Sequence, residues 1–284
     1  MIQKIPEEEA TVSEKSPRLP TLQGMFYPAD AAGLSTLLAS FFNATVTSVS
    51  NPKGIVVPHA GFIYSGPAAA VSYAKIDSSF NKTFMIIGTG HEGYATACAD
   101  FAWETPLGTV YPDEEFIDAL SSHLPKNNPL LRRRENSIEV QMPFIRYRFP
   151  KAKIVPILIG DQSFSGARCA AEAVIAAAEA LGRKAGEDFI VIASGDGSHY
   201  VSKDVAEHDD LTVLAAAKNL NMTRFYEALE TYQPSMCGYG CIAAACEIGS
   251  HFGAKELRLL TYTTSGDVTG DYSEVVGYAA MEVI

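Results

Sequence analysis

Four short segments are apolar almost from end to end: GIVVP at 54–58, TFMIIG at 83–88, KIVPILI at 153–159 and DFIVIAS at 188–194. Each is too short for a buried helix and rich in β-branched residues, so each predicts a strand covered on both faces. A strand with one wet face would instead alternate polar and apolar residues. Between and after these runs lie segments with helical spacing: 31–42 behind Pro28 and Asp30, then 67–73, 113–124, 138–148, 165–181, 204–217, 222–231 and 240–250. Two more strands, near 256–264 and 275–283, close the chain. Strands that must be buried on both faces need a helical layer on each side. The pattern predicts an α/β protein, a three-layer α/β/α sandwich around a mostly parallel or mixed central sheet, with an antiparallel edge from the last strands. Strand order is not part of such a pattern.

No linker-like composition interrupts 18–284, which is expected to form a single domain. Residues 1–17, rich in Glu, Ser and Pro, are expected to be a flexible leader without the apolar segment of a secretory signal. No run approaches the roughly 18 consecutive apolar residues of a membrane span. Acidic residues outnumber basic ones 33 to 22, a net charge of −11. That field opposes nucleic acid and anionic lipid, and Arg132, Arg133 and Arg134 form the one dense basic run. Five cysteines, at 98, 169, 237, 241 and 246, are odd in number and lack small-scaffold spacing, so reduced thiols in a cytoplasmic setting are expected.

Three of the apolar runs end alike. The first meets Pro58-His59-Ala60-Gly61, the second Gly88-Thr89-Gly90-His91-Glu92-Gly93, and the fourth Gly195-Asp196-Gly197-Ser198-His199-Tyr200. Three of the six histidines therefore fall just past strand ends, beside glycine. In open α/β sheets that edge carries the ligand crevice. Three imidazoles there point to a metal site or an acid–base centre. His123, His208 and His251 lie in helical, exposed contexts and are not part of that pattern.

Cys237 sits between Met236 and Gly238 just ahead of an apolar helix, where a helix start would favour the metal-binding thiolate. Cys241 and Cys246 lie within that helix and read as small hydrophobes. Asn136, with Glu139 three residues later, reads as a capping box for the helix at 138–148; the Glu135–Glu139 pair also admits a catalytic reading. Tyr64, Tyr200 and Tyr239 are placed to line a pocket at the same edge.

RLPTLQGMFYPAD, PHAGFIYSG, GTGHEG, ENSIEVQMPF, ASGDGSHY and MCGYG, in that order, resemble the Memo family, from about Arg18 to the C-terminus. Memo proteins are similar to class III extradiol dioxygenases, non-haem iron enzymes that open catechol rings, in fold and site placement. The resemblance implies a metal on His59, His91 and Cys237, with His199 and Asp196 as catalytic groups in the same pocket. The ring-cleaving relatives carry a carboxylate in place of that Cys. Two positions depart from the family pattern: Asn136, usually His, and Gly195, usually Ser. Two imidazoles and one anion, with coordination positions left open, match non-haem Fe(II) chemistry, and a thiolate admits Cu(I) or Zn(II) as well. The expected function is a metal-dependent oxidoreductase acting on a small molecule. The alternatives are a zinc hydrolase, or a non-catalytic module binding a phosphorylated peptide in the same crevice. Family resemblance further implies a radical-SAM protein as partner.

Overall fold

The computed structural model describes residues 15–91, 95–133 and 135–284. The leader expected at 1–17 thus falls almost wholly outside the described residues, as do Glu92, Gly93 and Arg134. The first half of the chain contains α1 (Ala31–Ala44), β1 (Gly54–Val57), α2 (Phe62–Tyr73), β2 (Thr83–Thr89), β3 (Ala97–Cys98), β4 (Tyr111–Pro112), α3 (Glu114–Leu120), α4 (Asn128–Leu131), α5 (Asn136–Glu139) and α6 (Gln141–Arg148). The second contains β5 (Lys153–Ile159), α7 (Phe164–Ala180), β6 (Phe189–Ser194), β7 (His199–Val201), α8 (Lys203–Ala216), α9 (Met222–Tyr232), α10 (Tyr239–His251), β8 (Leu257–Thr264), α11 (Gly266–Thr269) and β9 (Val275–Val283).

The strands form one mixed sheet in the order β3-β5-β2-β6-β1-β9-β7, with β4 beside β5 and β8 beside β9. The run β5-β2-β6-β1 is parallel throughout, while β9 is antiparallel to β1, β7 and β8. The reason for the uniformly apolar strands is now visible. In β6, Ile190 and Ile192 point into one core, and Phe189, Val191 and Ala193 into the other. In β2, Phe84 and Ile86 oppose Met85 and Ile87 in the same way. Helices α1, α2 and α6 cover one face; α3, α7 and α10 cover the other. Each of the Phe, Ile, Val and Met side chains among these contributes roughly 1.5–3 kcal/mol of burial.

Helix α10 lies deep because it is built from small residues. Its Cys241, Ala244, Ala245 and Ile248 share a fully buried core with Ala170, Ala171, Val174 and Ala177 of α7. Both Cys241 and Cys246 are therefore packing groups, as their helical setting predicted. Asp30 caps α1, accepting the Gly33 N–H at 2.7 Å.

The 135–148 stretch corrects the capping box. Glu135, not Asn136, caps α5, accepting the Ser137 and Ile138 N–H groups at 2.7 and 2.9 Å. The expected single helix is broken at Val140 into α5 and α6. Glu139 is 1% exposed and is occupied elsewhere, by Arg18, Thr21, Leu22 and Tyr27.

Candidate metal centre

Because β2, β6 and β1 are parallel and adjacent, their carboxyl ends share one edge. β6 is the middle strand of the three, so its loop enters between the loops of β1 and β2. His59 comes two residues after β1, His91 two after β2 and Asp196 two after β6. Neighbouring strands are about 4.8 Å apart, which brings side chains from three successive loops within reach of a common point.

Cys237 arrives from the far side, on the N-terminal lip of α10. Its placement depends on glycine. Gly238 adopts φ +74°, and a Cβ there would lie 2.6 Å from the Gly195 Cα and 2.7 Å from the Ser194 carbonyl oxygen. The two backbones touch at this point, and the Cys237 N–H donates to the Asp196 carbonyl at 3.2 Å. The Asp196 N–H in turn lies 3.3 Å from Cys237 Sγ.

The ligand atoms of His59, His91 and Cys237 all lie within 4.8 Å of one another, and so do those of Asp196, His199 and Cys237. Cys237 Sγ is 3.2 Å from His59 Nε2, and the His59 and His91 rings stand edge to face with centroids 5.2 Å apart. Two donors each bonded to one ion at about 2.0–2.3 Å lie some 3–4 Å apart, so this donor set fits a single transition metal. Asp196 holds the loop, accepting the His59 backbone N–H at 2.7 Å, with its other oxygen 3.8 Å from His59 Nε2. His199 is anchored by Ser235, whose hydroxyl accepts the His199 N–H at 2.7 Å and whose carbonyl accepts the ring Nδ1–H at 2.9 Å.

The electrostatics correct one expectation and strengthen another. Burial, reinforced by the Asp196 carboxylate, pushes the Cys237 thiol well above its usual range despite the Asp196 N–H. The helix start does not produce a free thiolate here, since desolvation outweighs it. His91 is exposed on its outer edge, yet the water lost at its inner edge holds its pKa down to about 4. His59 and His199 push it the same way and Asp196 opposes them. A neutral imidazole is the form that ligates metal.

All five residues singled out from the sequence are thus brought together. His123, His208 and His251 are exposed, as expected. The expectation for the three tyrosines fares differently. Tyr200 is 74% exposed at φ +58°, and Tyr64 packs beside Tyr278. Tyr239 turns instead into a groove with Phe164 and Tyr226. Asn136 reaches the rim, its side-chain N–H donating to the His59 carbonyl at 3.5 Å. Sequence reasoning missed Ser194, Gln141 and Ser235, which hold the histidines. Ser194 is the one polar residue of β6, a signal in the sequence that went unread; Gln141 opens a helix that also carries Arg146 and Arg148 and does not stand out there; Ser235 lies two residues before Cys237.

Fold and site together define an α/β sandwich with a histidine–thiol cluster at the carboxyl edge of its parallel strands. The model of the Memo family, described as Memo-like protein, matches residues 18–282. A MEMO1 family protein of Thermoplasma volcanium is 37% identical over 274 residues, covering 93% of this chain and 97% of its own. MEMO1 family proteins of Thermoplasma acidophilum and Methanopyrus kandleri are each 38% identical, over 271 and 280 residues, with 93% of this chain covered and 97% and 98% of their own. The chain belongs to the Memo family.

Proposed function

We propose that the protein binds one transition metal through His59, His91 and Cys237 and acts as an oxidoreductase of the non-haem dioxygenase type on a small molecule. Fe(II) is the best-matched ion, with Cu(I) and Zn(II) as competitors for a site that includes sulfur. The observation that carries this reading is the convergence of two imidazoles and a thiol, all within 4.8 Å, at the sheet edge where α/β folds bind ligands. Bound Fe(II) would supply the electrons for oxygen chemistry. His199, tied through Nδ1 to the Ser235 carbonyl, keeps Nε2 free to take a proton from a substrate hydroxyl. Asp196 fixes the His59 backbone and adds negative charge beside the ligands. A phosphorylated peptide is the poorer occupant, because Asp196 and the net charge of −11 both repel anions. A cytoplasmic setting, which keeps the thiol reduced, belongs to the same proposal. Among the described residues no helix is long and apolar enough to cross a membrane.

The test is anaerobic loading with Fe(II), metal analysis after desalting, and oxygen uptake over a catechol panel. Retention near one equivalent, lost in His59→Ala and Cys237→Ser, is expected. Equal retention in both variants overturns the ligand assignment. Metal retention with no oxygen uptake across the panel overturns the dioxygenase reading and favours a hydrolytic role for the site.

A further inference from the structure

We infer that Tyr73, Gln141 and Ser194 form a polar relay that fixes His59 as its Nδ1–H tautomer and so presents a bare Nε2 to the metal centre. The inference rests on the metal-binding reading for its purpose, though its geometry stands apart from it. All three relay residues are completely buried, so no water competes for their hydrogen bonds.

Gln141 has a side-chain nitrogen 3.1 Å from the Pro58 carbonyl, which only accepts, so that nitrogen is the NH₂. The other end of the amide is then the oxygen, and it accepts from the Tyr73 hydroxyl at 2.8 Å. The Gln141 NH₂ also donates to Ser194 Oγ at 2.9 Å. Ser194 Oγ lies 2.5 Å from the Ser137 carbonyl oxygen. Two oxygens that close need a proton between them, and the only one available is the Ser194 hydroxyl proton. Ser194 Oγ therefore has nothing left to donate, and His59 Nδ1, 3.3 Å away, must be the donor. A neutral imidazole carries one N–H, so Nε2 is left with its lone pair facing Cys237 Sγ at 3.2 Å. Without metal, that lone pair accepts a hydrogen bond from the Cys237 S–H; with metal bound it would be the ligand atom.

Four elements hold the relay: α2 through Tyr73, α6 through Gln141, β6 through Ser194 and α5 through Ser137. None of these side chains ligates, so they are positioning residues, and their effect is on the orientation and tautomer of His59. The tautomer provides a readout that a merely structural role would not move.

The experiment uses the full chain, metal-free, with histidine ring nitrogens labelled with ¹⁵N, and His59 assigned by its loss in His59→Ala. A protonated Nδ1 and an unprotonated Nε2 on His59 are expected in the wild type. In Ser194→Ala the ring should populate both tautomers, and anaerobic Fe(II) affinity should fall by about 10–100-fold. Gln141→Met, which keeps volume but removes all three amide contacts, should shift both readouts in the same direction by less, and it serves if Ser194→Ala fails to fold. An Nε2–H tautomer in the wild type overturns the relay. So does a folded Ser194→Ala, or in its place Gln141→Met, with tautomer and affinity unchanged. If the wild type retains no iron, the metal-binding reading falls, while the tautomer measured without metal still decides the relay.

Discussion

Glu139 shows how one residue can be conspicuous in a sequence and still be misread. Its spacing from Asn136 suggested a helix cap, yet its two oxygens collect five donors from the N-terminal segment: Arg18 Nη1 at 2.6 Å, the Thr21 and Leu22 N–H groups at 2.8 Å, the Thr21 hydroxyl at 2.7 Å and the Tyr27 hydroxyl at 2.9 Å. Burial first, then the Glu139 charge, drives the Tyr27 phenol far above its usual range. The segment so held reaches the site, because the Phe26 carbonyl accepts the Phe62 N–H three residues after His59. Glu139→Gln leaves the Arg18 guanidinium, 3% exposed, without its counter-charge. Losing one partner of a buried pair costs about 3–5 kcal/mol, so a fall of that size is expected in urea unfolding. Faster proteolysis between residues 18 and 27 should accompany it. Only the fold reveals this role, since the donors lie more than 110 positions away along the chain.

At the scale of an element, α10 positions the thiol. The sequence marked Cys237 by its glycine neighbours, and the fold brings its Sγ within 4.8 Å of the His59 and His91 ligand atoms. What it left open was why Gly238 is needed, because the Gly195 backbone that it touches belongs to β6's exit loop. Gly238→Ala faces two costs: a left-handed φ, roughly 1–2 kcal/mol for an L-residue, and a backbone clash. Gly253, just past the other end of α10, has φ +91° and nothing within 4 Å of an added Cβ. Gly253→Ala should therefore show the conformational cost alone, while Gly238→Ala should lose more stability and weaken Fe(II) binding as Cys237 is displaced. Comparing the two variants by thermal unfolding and metal titration tests this. Equal losses in both, with metal binding intact, would show that the Gly195–Gly238 contact does not matter.

Across the whole molecule, the carboxyl edge of the sheet has a counterpart at the opposite edge, where Asp113 accepts the Thr83 hydroxyl, the Phe116 N–H and the Arg183 guanidinium. Burial by itself would raise the Asp113 pKa, but those hydrogen bonds and the Arg183 charge carry it below the ordinary value. A carboxyl depressed in the folded state contributes stability that is full above its unfolded pKa of about 3.9 and lost as pH falls through the folded value. Wild type should thus exceed Asp113→Asn in stability at neutral pH, and the gap should narrow below about pH 4, as read by denaturant unfolding at several pH values. Within the sequence itself lay the strands, their burial on both faces and the glycine–histidine endings, because periodicity and residue type act over a few neighbouring positions. Only tertiary structure decided that β6 runs between β1 and β2, that a thiol from 178 positions beyond His59 meets its ring, and that burial keeps this thiol protonated. Strand order, desolvation and the direction of a buried proton are set by contacts between distant segments, and no local pattern carries them.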